Sequence, residues 1–414
     1  MRNSILFIHP GILAPVQGGG PARTWALMDY FKAEGYEIVL VTSNHGEHNQ
    51  ELSRHVDKLY TPGAAQTNGG KPPEGSSRAL AARLKKKAKE AAGLVLKTAE
   101  RGGMPALSSM QRNRHRSLET LAGKAACACR PVAAIATYAW LARALDYMPP
   151  GTLRILDTID VQHVRCARAR QSGGNLEHLR CSREEEAREL RRADILLAIQ
   201  DEEERLLREM CPDRSVLCVR HAVSLPAFTT PPAGEANNLL YVGNKYDPNI
   251  RGLQSFFDTA WPAIVSRRPE VRLTVCGRIC EVFPDSIPNV TFAGVVPDLN
   301  PFYESAHIVI NPVTYGTGIK IKSIEALAHG RCLVCTSQGT LGLGAPESLP
   351  VVVAETGAEM VEAILTLLSD TGKRHALETE SYTYARNHFS PQQIFKDLHN
   401  CIRDHNIARG KGDV

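Results

Sequence analysis

Short runs of apolar residues alternate with longer polar or amphipathic stretches from one end of the chain to the other. The runs 4-SILFIH-9, 37-EIVLVT-42, 154-RILD-157, 194-DILLAI-199 and 215-SVLCV-219 have the length of strands buried on both faces, and the stretches between them can each hold a helix. A second series follows: 239-LLYVG-243, 271-VRLTVCG-277, 290-VTFAG-294, 307-HIVINP-312, 332-CLVCT-336 and 350-PVVVA-354. This βαβ rhythm predicts an α/β protein of two doubly wound, Rossmann-like domains on parallel sheets. The proline-rich stretch 224-SLPAFTTPPAGEANN-238 interrupts all periodicity and is read as the linker, between a domain at 1–223 and a second at 239–385. No run approaches the roughly 18 apolar residues that span a bilayer, and the first apolar run is too short for a signal peptide.

Composition changes this picture little. The 414 residues suit two domains of about 200, and 43% hydrophobic residues exclude a disordered chain. Eleven cysteines, several inside apolar runs such as 332-CLVC-335, read as small core residues of a protein in the reducing cytosol, and 127-CAC-129 is read the same way. No His, Asp or Cys grouping has the spacing of metal ligands, so no metal is expected.

Charge alters the picture in one place. Residues 78–116 carry eleven Lys or Arg against Glu90 and Glu100, a local excess of +9 in a chain whose total is +5. Leu80, Leu84, Ala88, Ala91 and Val95 fall at helical spacing beside these cations, the pattern of a helix that lies on anionic lipid. The segment is therefore expected to bring a cytoplasmic protein to the inner face of the membrane as a peripheral guest, with a solvated helix as the alternative. Nucleic acid is not expected, because no aromatic residues interleave with the charges to stack on bases.

The stretch 307-HIVINPVTYGTGIKIKSIEALAHG-330 holds most of the candidate chemistry. It reads as a strand, a glycine-containing turn and a helix from near Ile319 to before Gly330. Gly316 and Gly318 permit close backbone approach, and a helix start supplies free N–H groups and a positive dipole end for an anion. Lys320 and Lys322 stand in the first turn, where that dipole disfavours cations unless a phosphate is bound there. Glu325 follows about one turn later, placed to accept hydrogen bonds from ribose hydroxyls.

Residues 307–330, with 239–278 and 290–306 before them, resemble the donor domain of GT-B-fold retaining glycosyltransferases of the group-1, or family-4, class. The resemblance implies two domains facing across a cleft, with 386-RNHFSPQQIFKDLHNCIRDHN-406 as the helix that crosses back to the first domain and 386–414 as the C-terminal segment. It implies transfer of a sugar from a nucleotide-diphosphate sugar to a saccharide or lipid-linked acceptor, with retention and without metal, as in polysaccharide biosynthesis. In that match Glu325 holds the ribose; Gly316, Thr317, Gly318, Ile319, Lys320 and Lys322 form the turn over the diphosphate; Gly243 and Arg251 make the first phosphate-facing loop; Val295 and Val296 are the backbone station for the base, with core packing as their alternative.

In the first domain, 17-QGGGPARTWALMDYF-31 fits a loop that closes over substrate, with Gly19 and Gly20 on the donor and Arg23 on the acceptor side. No G-x-G-x-x-G follows the first strand directly, which sets aside a Rossmann oxidoreductase. The stretch 154-RILDTIDVQHVR-165 resembles the family's strand and loop beside the reacting sugar, making Asp160 a catalytic candidate with Lys320 and Glu325, and His163 and Arg165 acceptor-side candidates. Two departures stand out: Ile159 replaces a usual His, and Thr317 stands where many relatives have a glutamate eight residues before Glu325. They motivate a non-catalytic scaffold as an alternative, and a sugar-nucleotide 2-epimerase of the same architecture is a second.

Overall fold

A computed structural model of the chain describes residues 2–11, 13, 19–43, 49–62, 108–171, 180–229, 237–283, 287–316 and 319–412. Most of the basic segment, 78–107, and the turn residues Thr317 and Gly318 lie outside them. The chain divides into two compact units, Met1–Val219 with Asp397–Val414, and Arg220–Lys396.

The first unit holds a seven-stranded sheet of β1 (Ser4–His9), β2 (Glu37–Thr42), β3 (Lys58–Tyr60), β4 (Ala133–Thr137), β5 (Leu153–Asp157), β6 (Ile195–Ala198) and β7 (Ser215–Cys218). Its order is 3-2-1-4-5-6-7 and every pairing is parallel. All six residues of β1 are buried, as a strand covered by helices on both faces requires. Leu6, Ile8, Val39 and Leu156 point into one core, which helices Arg116–Cys129 and Arg183–Leu190 close with Leu118, Ala122 and Leu190. The last helix, Lys396–Gly412, is tied to this unit where the Tyr30 hydroxyl meets His399 Nδ1 at 3.1 Å and Arg409 donates to the Pro131 carbonyl at 3.2 Å.

The second unit holds a six-stranded parallel sheet of β8 (Asn238–Val242), β9 (Arg272–Cys276), β10 (Val290–Gly294), β11 (Ile308–Asn311), β12 (Cys332–Cys335) and β13 (Val352–Val353), in the order 10-9-8-11-12-13. Alternate residues of β8 serve opposite faces: Leu239 and Tyr241 pack with Phe256, Trp261 and Ile364, and Leu240 packs with Val309, Leu327 and Leu333. Among the described residues no helix is long and apolar enough to cross a membrane.

One sequence expectation needs correction here. Cys127 is exposed and Cys129 only half-buried, because they lie in the last turn of helix Arg116–Cys129, whose buried stripe runs through Leu118, Ala122, Ala125 and Ala126. The fold also gathers Asp201, Glu204 and Cys218, with one donor atom from each within 4.8 Å of the others, a grouping that spacing along the chain hides. Its members are engaged locally: Arg208 pairs with Glu204 at 2.7 Å, and the Cys218 thiol lies 3.5 Å from Asp201 Oδ1.

Candidate functional site

In an open parallel sheet the strand order reverses at one point, and the loops leaving the two strands there part to leave a crevice beyond their carboxyl ends. In the second unit that point lies between β8 and β11. Gly243 follows β8, and helix Asp247–Thr259 begins four residues later. Gly252 lets this helix pass against the end of β11, since a Cβ there would stand 2.7 Å from the Pro312 carbonyl oxygen. The backbone also folds tightly where β8, β9 and β10 end: Gly277 has φ +100°, a left-handed conformation, and a Cβ on it would lie 2.3 Å from the Gly243 carbonyl oxygen.

Helix Ile321–Ala328 starts at this reversal, with Lys320 as its N-cap. Its apolar stripe of Ile324, Leu327 and Ala328 is buried in the core, which leaves Lys322 and Glu325 along the neighbouring side. The Lys322 ammonium donates to Asn249 Oδ1 at 2.8 Å and to the Tyr241 hydroxyl at 3.1 Å, and stands 4.4 Å from the centroid of the Tyr241 ring. None of these partners is an anion. Burial lowers the amine to about 7, with the neighbouring Lys320 charge adding to the effect and Glu325 opposing it. Burial also lowers Lys320. A Cβ on Gly316 would sit 3.8 Å from Lys320 Nζ, so this second ammonium lies over the glycine turn.

Glu325 accepts a hydrogen bond from the Tyr303 hydroxyl at 3.0 Å. Burial raises its carboxyl to about 7, against the opposing pull of Tyr303 and Lys322. Tyr303 is fixed in turn by stacking on His329, with ring centroids 4.3 Å apart. Two lysines and a carboxyl one helical turn along are thus set in a site of low polarity, where charges are little screened by water.

The remaining candidates in this unit are distributed unevenly. Gly243 is held close to the Tyr241 ring, Gly316 has φ +118°, and Ile319 packs against Gly342. Arg251 is 71% exposed and pairs with Asp247 at 3.1 Å, and the same carboxylate accepts from the Tyr315 hydroxyl. Val295 is 61% exposed and Val296 half-buried in the loop after β10, so core packing does not explain Val295. Tyr241, Asn249 and Tyr303 complete the site and were not singled out from sequence.

The candidates of the first unit are drawn into other pairings. Gly19 and Gly20 begin helix Gly19–Ala33, and Gly20 lies against the Tyr138 hydroxyl. Arg23, 2% exposed, forms a buried pair with Asp157, its Nε 2.8 Å from Oδ2. Ile159 is buried with φ +62°, a strained conformation for a β-branched residue, so this position holds an inward-turned aliphatic group. Asp160 and Arg165 pair with each other at 2.9 Å, and burial raises the Asp160 carboxyl while Arg165 opposes it. His163 Nδ1 lies 2.7 Å from Glu186 Oε2. Glu186, fully buried, also accepts the N–H groups of Gln162 and His163 at the start of helix Gln162–Gln171, a capping carboxylate supplied from another helix. Glu203, raised to about 7 by burial, lies near Asp160.

Comparison with known proteins agrees with this geometry. Residues 236–370 match the family described as "Glycosyl transferases group 1". A curated relative, the "Uncharacterized 44.6 kDa protein in cps region" of Klebsiella pneumoniae, is 21% identical over 173 residues, 39% of this chain. The match spans 45% of that relative, less than half its length. Among solved structures, sucrose-phosphate synthase from Thermosynechococcus elongatus superposes with a TM-score of 0.64 at 16% identity, covering 98% of this chain and all of that one. HepE of Anabaena in complex with UDP gives 0.61 at 12% identity, over 97% of this chain and all of that one. A glycosyltransferase from Rickettsia africae gives 0.60 at 12%, over 98% of each chain. The two doubly wound units therefore have the GT-B fold, and the second carries the sequence pattern of group-1 glycosyltransferases.

Proposed function

We propose that this GT-B protein, with its group-1 glycosyltransferase domain, transfers a sugar from a nucleotide-diphosphate sugar to a saccharide or lipid-linked acceptor with retention of anomeric configuration. The observation that carries the reading is the Lys322 ammonium, buried at the strand-order reversal among neutral partners, with Lys320 over the glycine turn and Glu325 one helical turn along. A largely buried cation is costly when its hydrogen-bond partners are all neutral and burial pushes the nearby Glu325 carboxyl toward its own neutral form. A diphosphate would supply the missing charge, and the ribose hydroxyls beside it would donate to Glu325. The complexes of HepE with UDP and with UDP-glucose support a nucleoside diphosphate as the ligand of this fold.

In the proposed reaction the bond between the anomeric carbon and the β-phosphate oxygen breaks, and the acceptor oxygen bonds to that carbon on the same face. The acceptor proton passes to the departing phosphate. Lys320 and Lys322 stabilise the charge that grows on the leaving group, in an environment whose low polarity magnifies each contact. Asp160, held by Arg165, orients the acceptor or a sugar hydroxyl. No metal takes part in this scheme. Incubating the protein with nucleotide sugars and candidate acceptors should release nucleoside diphosphate, and the product's anomeric proton coupling in NMR should match that of the donor; an inverted product refutes retention.

The inward-turned Ile159 favours one other reading, a scaffold that keeps the donor pocket and performs no transfer. Nucleotide binding without turnover on any acceptor would establish it. Peripheral docking on anionic membranes through 78–116 is the remaining part of the proposal; deletion of residues 78–102 should abolish sedimentation with anionic liposomes, and persistent binding would refute it.

A further inference from the structure

A groove of about 930 Å³ opens in the first unit between helices Ser109–Arg112, Arg116–Cys129 and Arg183–Leu190 and the turn Ala139–Tyr147. Its size falls in the range of roughly 300–1,000 Å³ that ligand sites occupy. Five arginines line it against two glutamates. Two of the arginines, Arg114 and Arg116, are the described end of the basic segment, which the donor site does not use.

The arginines fall into two groups. Three are held in place by carboxylates. Arg114 forms a two-pronged pair with the buried Glu119 at 2.7 and 2.8 Å, and Arg143 and Arg192 share Glu189 at 2.7 and 2.8 Å, with Asp146 also on Arg192. Each guanidinium keeps further N–H donors, and its orientation is fixed before any ligand arrives. The other two, Arg116 and Arg188, are exposed and have no carboxylate partner among the described residues. Trp140 also lines the groove, half-buried and stacked on Tyr138 with ring centroids 4.5 Å apart and planes 8° from parallel. It offers a rigid flat apolar surface of about the breadth of a pyranose ring.

Oriented guanidinium donors, carboxylate acceptors and one fixed indole are the groups that recognise a sugar ring by its hydroxyls and its apolar face together. Two guanidinium groups without a carboxylate partner add a preference for an anionic substituent. We propose that this groove binds an acidic saccharide, a chain carrying carboxylate or phosphate groups. Given the transferase reading above, that chain is the non-reacting part of the acceptor or product.

The test is calorimetric titration of the full-length protein with a hyaluronan tetrasaccharide as the carboxylate probe, glucose 1-phosphate as the phosphate probe, and maltotetraose and inorganic phosphate as controls. At least one acidic sugar should bind at least tenfold tighter than both controls. The double variant Arg116→Glu, Arg188→Glu should weaken that binding tenfold or more, and Trp140→Leu should weaken it severalfold, with UDP binding unchanged in both. Arg188→Gln alone, on an exposed helix face, provides the same comparison if the double variant fails to fold. Equal binding of maltotetraose or of inorganic phosphate, or an unchanged affinity in the variants, would each overturn the assignment. Acidic-sugar binding without any UDP binding would leave the groove standing and remove the donor site; UDP binding without acidic-sugar binding would do the reverse.

Discussion

Replacing Lys322 by Met keeps the unbranched stem of the side chain as far as Cε and removes the ammonium that meets Asn249 and Tyr241. In the free protein that ammonium is poorly accommodated. Burial lowers it from 10.5 to about 7, which places the cost of holding it charged on the order of 5 kcal/mol. The free variant should therefore be no less stable than the wild type at pH 8, and its thermal midpoint should be equal or higher. Ligand binding should respond in the opposite sense. A hydrogen bond to a charged group contributes roughly 1.5–3 kcal/mol, so diphosphate affinity in Lys322→Met should fall about 10- to 150-fold. The same ammonium makes binding proton-linked: the folded amine loses its proton as pH rises through about 7, and a diphosphate restores it. At pH 8 the complex should take up roughly 0.9 proton, as a group with that midpoint requires. Calorimetry of UDP in buffers of different ionisation enthalpy measures the uptake directly. Affinity should decline as pH rises above 7, and the decline should vanish in Lys322→Met. A variant that binds UDP as well as the wild type, or wild-type binding without proton uptake at pH 8, would refute the reasoning.

Glu325→Ala should weaken nucleoside diphosphate binding by at least tenfold in calorimetry, and a free ribose-lacking probe such as pyrophosphate should be affected far less. Equal losses for both probes would assign Glu325 to the fold and not to the ribose. Arg23→Met strands the fully buried Asp157 and should cost about 3–5 kcal/mol of unfolding free energy in urea titration. A stable protein with altered acceptor kinetics would instead return Arg23 to the acceptor site.

The strands rich in Val, Ile and Leu are legible in the sequence because double burial leaves no polar alternation to confuse them: β1 and β2 match their apolar runs. The strand Ala133–Thr137 escapes the same reading, since three of the five residues of AAIAT are alanines, which favour helices, and only Ile135 and Thr137 are β-branched. In the site, the glycine turn and the lysines declare themselves through local conflict: cations at a helix start are unfavourable without an anion. What surrounds Lys322 does not. Tyr241 and Asn249 reach it across 81 and 73 residues of chain, a convergence that depends on how two strands and two helices pack. Arg23 and Asp157, 134 residues apart, are hidden for the same reason. Arg251 carries the basic character that the resemblance asks for, yet Asp247 one turn before it takes that charge in the folded protein.

Calorimetric titration of the folded, full-length protein with UDP, GDP, ADP and CDP tests the donor site most directly. At least one of the four should bind with one site per chain, and Glu325→Ala should abolish or strongly weaken it. Heat-free titrations with all four at millimolar concentration, with the fold verified by circular dichroism, would contradict the assignment of the second unit as a nucleotide-sugar domain.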